Sequence, residues 1–145
     1  MAADPPKQDP RVIVAYLDDV DLDLDAAKRL TADPPNRLAA FHLQQAAEKL
    51  VKAVQLVRGL LITAEHNIAR LLERLPPDDL WRRKLIVLEP LSSYATSFRY
   101  PSPMGKRKDG PTNNEVLGWI KAIADLSAEA RSLVGPVAPR SGRTT

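Results

Sequence analysis

Apolar residues recur three or four positions apart along most of the chain, and this spacing is typical of amphipathic helices. Prolines and a few glycines divide the pattern into stretches that are long enough for helices. The first predicted helix follows Asp9 and Pro10, an N-cap residue and a proline suited to the first helical position. The segment 21–25 alternates aspartate and leucine as a strand would, but three closely spaced aspartates suit a strand poorly, so a helix is favoured.

The clearest helical pattern lies between Pro34-Pro35-Asn36 and Gly59. One face of this second predicted helix is apolar, and it comprises Leu43, Ala46, Ala47, Leu50, Val54 and Val57. A neighbouring polar stripe comprises His42, Gln45, Lys49 and Lys52. The many alanines of this helix leave room for another helix to approach closely.

Two further helices are predicted in the middle of the chain. A short helix spans about residues 65–75. A longer helix begins near Asp78 and repeats apolar residues at helical spacing as far as Phe98. Pro90 lies inside it and is expected to kink or interrupt it near Glu89, because proline lacks an amide donor and clashes with the previous turn.

The last predicted helix starts at Thr112, which forms a capping box with Glu115, and ends at Gly135 and Pro136. Four long amphipathic helices and one short helix each need to bury an apolar stripe, and packing together is the simplest way to do so. The fold is therefore predicted to be all-α, an up-and-down helical bundle of four long helices plus one short helix.

The 145 residues correspond to about one domain. We expect residues 1–10 to be a flexible N-terminus, residues 11–135 to form the bundle, and residues 136–145 to be a disordered tail. No apolar run approaches the roughly 18 residues that a membrane span needs, and the polar N-terminus lacks a signal-peptide pattern. A cytoplasmic location without membrane contact is therefore expected.

Composition narrows the chemistry of the protein. The chain has no cysteine, which excludes a disulfide scaffold and any thiolate-ligated metal or iron–sulfur site. It has only two histidines and no carboxylate cluster to supplement them, which argues against a His-rich metal site. We expect no metal and no cofactor.

The net charge of +3 conceals an uneven distribution. Residues 1–25 contain seven aspartates and only two cationic residues, Lys7 and Arg11, which leaves a charge of +8 on the rest of the chain. The positive charge of the rest of the chain is compatible with phosphate-bearing partners, although ordinary solvated charges explain the same excess equally well.

Three blocks of the sequence resemble the HEPN domain family, in the order usual for that family. They are AAFHLQQAAEKLVKAVQLVRG at 39–59, EHNIARLLERL at 65–75 and SYATSFRYP at 93–101. The first block is quite specific, and the other two support it by their order and spacing. With the segment DLDAAKRL counted as a first-helix match, the resemblance covers about residues 15–133.

The resemblance implies a bundle of four or five helices that commonly forms a homodimer. Members of the family are often encoded beside a minimal nucleotidyltransferase, in a two-component module described as toxin–antitoxin. The family is related to the helical domain of kanamycin nucleotidyltransferase. This relation is the origin of the term "nucleotide-binding" in the family's full name. Many members are metal-independent ribonucleases that use an arginine and a histidine with four to six residues between them.

The candidate catalytic residues match this ribonuclease pattern incompletely. Arg37 and His42 have the right spacing, but they lie at the start of the second helix, whereas ribonuclease members have the motif on a later helix. Leu38 follows the arginine where a polar residue is expected. Arg58 and His66 are separated by seven residues, which is outside the pattern. We therefore leave catalysis open and favour a non-enzymatic role.

The predicted ligand site consists of Arg99, Tyr100, Lys49, Lys52, His42 and Gln45. An arginine beside an aromatic residue at a helix end suits a phosphate and a stacked base. The alternative is that Arg99 caps the fourth helix and Tyr100 packs on the bundle. The two lysines add phosphate contacts if Arg99 folds over them, and otherwise they form a solvated stripe.

Three functions are compatible with these residues. The first is a HEPN partner that binds nucleotide or RNA phosphate in a nucleotidyltransferase-associated module. The alternatives are a metal-independent ribonuclease toxin and a structural dimerisation partner.

The triplet Lys106-Arg107-Lys108 either touches RNA or an acidic partner, or is solvated. Trp81 and Trp119 lie on apolar stripes and are interpreted as core or dimer-interface residues.

Overall fold

The computed structural model describes residues 8–31, 37–94, 101, 103–106 and 110–135. These residues are all-α and contain no strand, which confirms the predicted fold class. The five α-helices are α1 (Pro10–Arg29), α2 (Arg37–Val57), α3 (Ile68–Glu73), α4 (Leu80–Leu85) and α5 (Asn113–Arg131). A 3-10 helix, Ile86–Ser92, follows α4 directly. Residues 1–7 and the predicted tail 136–145 lie outside the described residues, so the expectations for them stay predictions.

Helix α1 begins as its sequence predicts. The Asp9 carboxylate accepts a hydrogen bond from the backbone N–H of Arg11 at 2.9 Å, and Pro10 is the first helical residue. The alternating segment 21–25 is helical, which agrees with the choice of helix over strand. Lys28 and Arg29 lie in the last turn, where positive charge is favourable for the helix dipole.

Helix α2 ends at Gly59 through a hydrogen-bonded C-cap. The N–H of Leu60 donates to the carbonyl of Gln55 at 2.9 Å, and the N–H of Gly59 donates to the carbonyl of Leu56 at 3.0 Å. This pair of bonds is a Schellman motif, and it requires a left-handed residue, which Gly59 supplies with φ 81°. The predicted end of the second helix is therefore confirmed.

The predicted fourth helix changes type before its proline. It begins near the expected position, with Asp79 as N-cap, but α4 gives way to the 3-10 helix at Ile86 rather than at Glu89. Pro90 has no N–H to donate to the carbonyl four residues earlier, and its ring clashes with that carbonyl. The residue four positions before Pro90 is Ile86, so the proline changes the helix one full turn before its own position.

Helix α5 begins at the predicted cap, because the Thr112 hydroxyl accepts from the N–H of Glu115 at 3.1 Å. Arg131 in its last turn bonds Asp18 at 2.9 Å and Asp21 at 2.7 Å. Part of the acidic charge of α1 is therefore neutralised by α5 at exposed positions, and the uneven charge of the sequence does not simply produce an acidic face opposite a basic one.

Helices α1, α2 and α5 pack together, while α3 and the 3-10 helix lie against α2 and against each other. The largest fully buried apolar side chains come from all five α-helices, the 3-10 helix and the turn after α3: Leu17, Leu43, Leu50, Ile68, Leu71, Leu72, Leu75, Leu85, Leu88, Leu91 and Ile123. Trp81 is part of the hydrophobic core, and Trp119 packs against the core, in line with the interpretation of both tryptophans as packing residues. No described helix is long and apolar enough to cross a membrane.

Candidate functional site

The polar stripe of α2 is partly enclosed, and Lys52 is its buried member. Lys52 Nζ donates to Glu48 Oε2 at 3.2 Å, and the two side chains are only 8% and 7% exposed. The alternative that Lys52 belongs to a solvated stripe is therefore wrong. A buried charge is expensive unless it is paired, so each of these two groups depends on the other.

Glu48 is the centre of a cluster that also includes Gln44, Lys52 and His66. Gln44 Nε2 donates to Glu48 Oε1 at 3.2 Å, and His66 Nδ1 lies 3.1 Å from the same oxygen. Three groups thus share one buried carboxylate, which satisfies its hydrogen-bonding capacity. His66 reaches Glu48 from the segment before α3, and its own side chain is 74% exposed.

A second cluster joins α1 to α2 around Asp23. His42 Nδ1 lies 2.9 Å from Asp23 Oδ1, and Lys49 Nζ donates to Asp23 Oδ2 at 2.7 Å. Asp19 lies further from Lys49, at 3.9 Å. The Asp23 side chain is only 12% exposed, so this carboxylate is held between the two helices.

The two carboxylates at the centres of these clusters were missed as site residues. Asp23 lies three residues after Val20 and four before Ala27, on the buried stripe of α1. A charged residue at such a spacing needs a partner inside the fold, and that signal was available in the sequence. Glu48 is recognisable in the sequence as the i,i+4 partner of Lys52, but its contact with His66 is not.

Both histidines use the same ring nitrogen to contact a carboxylate. A carboxylate at Nδ1 favours the tautomer with a proton on Nδ1 and leaves Nε2 as the second functional nitrogen of the ring. His42 is 30% exposed and His66 is 74% exposed, so a ligand can reach both rings. The geometry suits hydrogen bonding or proton transfer at Nε2.

The charge of the stripe is close to balanced. Lys49 and Lys52 face three carboxylates, from Asp19, Asp23 and Glu48. Gln45 adds no charge, and its amide donates to Gln44 Oε1 at 2.9 Å. The stripe therefore offers fixed polar groups rather than a strong excess of positive charge.

The two histidines of the ribonuclease pattern each contact a carboxylate, and Arg58 is paired with Asp79. Arg37 begins α2, and residues five apart lie about 140° apart around a helix, so His42 points elsewhere and is held by Asp23 of α1. Arg58 forms a two-point ion pair with Asp79, with Nε–Oδ2 at 2.8 Å and Nη2–Oδ1 at 3.1 Å. His66 instead contacts Glu48.

The ion pair between Arg58 and Asp79 is electrostatically well formed. The hydrogen bond from the Arg58 side chain lowers the pKa of Asp79, and the bond to Asp79 raises the pKa of Arg58. Asp79 also accepts from the N–H of Trp81 at 2.8 Å and so caps α4. Arg58 is therefore fixed at the start of α4.

Two of the predicted ligand-binding residues, Arg99 and Tyr100, lie outside the described residues, as do Arg107 and Lys108 of the basic triplet. Their convergence with Lys49 and His42 stays a prediction. Within the part of the chain that the structure describes, no group of three or more His, Asp or Glu side chains is placed to hold a metal ion.

Comparison with known proteins gives one match. The model of the HEPN domain matches residues 15–128, which extend from α1 into α5 and include both carboxylate–histidine clusters. No curated protein and no solved structure matches the chain significantly.

Proposed function

Because the chain belongs to the HEPN domain family, we propose that it is a nucleotide- or RNA-phosphate-binding partner in a nucleotidyltransferase-associated, toxin–antitoxin-like module. The family is associated with nucleotidyltransferase modules and with RNase toxins. A cytoplasmic location and a homodimeric state are parts of the same proposal.

The observation that supports this proposal best is the fixed arrangement of nitrogen-bearing side chains on α2 and beside it. His42 and Lys49 are held by Asp23, while Lys52 and His66 are held by Glu48. Side chains that are ordered before a ligand arrives lose little conformational entropy on binding.

A phosphate group would use the donors that the carboxylates leave over. An ammonium group has more N–H donors than the single bond from Lys49 to Asp23 requires. The imidazole Nε2 atoms of His42 and His66 lie on the opposite side of each ring from the carboxylate contacts, where they would accept from a ribose hydroxyl or a base N–H. Because the carboxylates offset the lysine charges, we expect a nucleotide, with its ribose and base, to bind better than inorganic phosphate.

The test is isothermal titration with ATP, GTP and a short single-stranded RNA. We expect Lys49→Gln to weaken binding about tenfold, since a hydrogen bond to a charged group contributes about 1.5–3 kcal/mol. The matched control is Lys121→Gln, which removes one positive charge from a pair with Asp125 on the surface of α5. Absence of binding by all three ligands, with Arg99→Ala also without effect, would refute the ligand proposal.

The partner part of the proposal is tested by co-expression with the product of the neighbouring gene, which the proposal expects to be a minimal nucleotidyltransferase. A stable complex supports the module. If the complex forms and neither Lys49→Gln nor Arg99→Ala changes any property of it, the protein is a structural partner without a ligand.

The homodimer has its own support in the structure. Three aliphatic side chains on α4 and the 3-10 helix, Leu80, Ile86 and Val87, are 57%, 49% and 54% exposed. Neighbouring exposed apolar side chains favour association with another protein surface. Light scattering coupled to size exclusion measures the mass, and we expect Val87→Lys to shift the protein toward monomer.

A ribonuclease remains the second candidate, because each histidine has a carboxylate at Nδ1. Such a partner fixes the orientation of an imidazole, as general acid–base catalysis requires. This candidate predicts RNA cleavage in EDTA that is lost in His42→Ala or His66→Ala. Unchanged growth of cells that express the protein without its partner would contradict it.

A further inference from the structure

Four arginines from three parts of the chain lie at or beside the turn between α3 and α4. We call this group the arginine corner, and it consists of Arg58, Arg74, Arg82 and Arg83 around residues 75–79. Arg58 comes from the end of α2, Arg74 is the C-cap of α3, and the other two belong to α4. The side chains of Arg58, Arg82 and Arg83 bond residues of the turn, and Arg74 lies directly before it in the chain.

Backbone carbonyls hold three of these side chains in place. Arg82 Nη1 donates to the carbonyl of Leu75 at 2.9 Å, and Arg83 Nη2 donates to the carbonyl of Asp78 at 3.3 Å. Arg74 Nη1 donates to the carbonyl of Leu61 at 2.9 Å. A carbonyl has no net charge, so these bonds orient the guanidinium groups without neutralising them.

Arg58 differs from the other three arginines, because its charge is matched by Asp79. Two further carboxylates, Glu73 and Asp78, are exposed close to the turn. The three uncompensated guanidinium groups thus exceed the two remaining carboxylates by one charge. Arg83 is exposed, and Arg74 and Arg82 are partly exposed, so solvent or a ligand can reach this charge.

We propose that the arginine corner is a second phosphate-binding surface that takes the phosphate groups of a polyphosphate or of an RNA backbone. A guanidinium group has more N–H donors than the bonds to the turn use, and its planar fork matches two oxygens of one phosphate. The surface goes beyond the function proposed above, because it uses none of the residues of the α2 stripe.

The test compares two probes, sodium tripolyphosphate by calorimetry and a labelled short single-stranded RNA by fluorescence anisotropy. We expect the double variant Arg82→Gln/Arg83→Gln to bind both about tenfold more weakly than the wild type, from the loss of charge-assisted hydrogen bonds. The salt dependence of RNA binding should also fall, by about 0.7 in the logarithmic slope for each lost phosphate contact.

The control variant is Arg29→Gln/Lys121→Gln, which removes the same charge from exposed positions on α1 and α5. If this control weakens binding as much as the double variant, net charge alone explains the affinity and the proposal is overturned. Asp78→Asn removes a repulsive carboxylate from the turn itself, so it should strengthen binding of both probes.

Each remaining outcome is informative. Binding of RNA alone assigns the surface to a nucleic-acid backbone, and binding of tripolyphosphate alone assigns it to a free polyphosphate. If neither probe binds, or if both bind the double variant as tightly as the wild type, the proposal is wrong. Arg83→Gln alone keeps the bond from Arg82 to the turn, so it tests the surface even if the double variant unfolds. Lys49→Gln should leave this surface intact, which separates it from the α2 stripe.

Discussion

Replacing Glu48 with glutamine removes the carboxylate charge that Lys52 faces and keeps nearly the same side-chain shape. The Lys52 side chain is 8% exposed, so its ammonium group would stay in the protein interior without a counter-charge. Breaking a buried pair in this way costs about 3–5 kcal/mol of stability. We expect about 3 kcal/mol, because His66 is 74% exposed and can return its Nδ1 to water.

Urea unfolding followed by circular dichroism measures this loss, with the slope of the transition as a check on the folded state. The matched control is Asp25→Asn, whose partner Arg29 is 79% exposed, so the change should be within about 0.5 kcal/mol. The double variant Glu48→Leu/Lys52→Met removes both charges and should lie within about 2 kcal/mol of the wild type. If Glu48→Gln costs no more than Asp25→Asn, or the double variant costs more than the single one, the reasoning about the buried pair is refuted.

Two further predictions concern single side chains. The pKa of Asp79 lies below its ordinary value of 3.8, mainly through the Arg58 side chain. The ion pair therefore stabilises the fold above that ordinary value, and this contribution is lost as the pH falls through the lowered pKa. Asp79→Asn keeps an acceptor for the α4 cap but removes the charge that Arg58 faces. It should therefore lower the stability of the fold near neutral pH and weaken the loss of stability in acid. Urea unfolding midpoints from about pH 6 to about pH 2 measure both effects. Ser127 is 1% exposed, and its Oγ has no hydrogen-bond partner among the described residues, so Ser127→Ala should raise stability by about 1 kcal/mol in thermal unfolding.

Local patterns in the sequence were sufficient for most of the helices. Asp9 with Pro10, Thr112 with Glu115, and Gly59 each mark a helix end through bonds between near neighbours, and the structure contains all three ends. Pro90 was placed correctly as a disruption, but its effect begins at Ile86, because the clash reaches the carbonyl four residues back.

The candidate site was predictable only as a row of side chains on α2. The spacing of four residues places them on one side of a helix: His42, Gln45, Lys49 and Lys52. Which residues of other segments contact this side depends on how the helices pack. Asp23 meets His42 across 19 positions of the chain, and Glu48 meets His66 across 18.

The sequence by itself thus determined the helices, their caps and the polar character of the α2 stripe, because these depend on interactions within one or two helical turns. Tertiary structure alone decided which charges are matched and which are not. It enclosed Lys52 with Glu48, placed Asp23 between two helices, and left three of the four arginines of the corner on uncharged carbonyls. The physical reason is that the cost of a charge depends on its burial and its neighbours, and packing sets both.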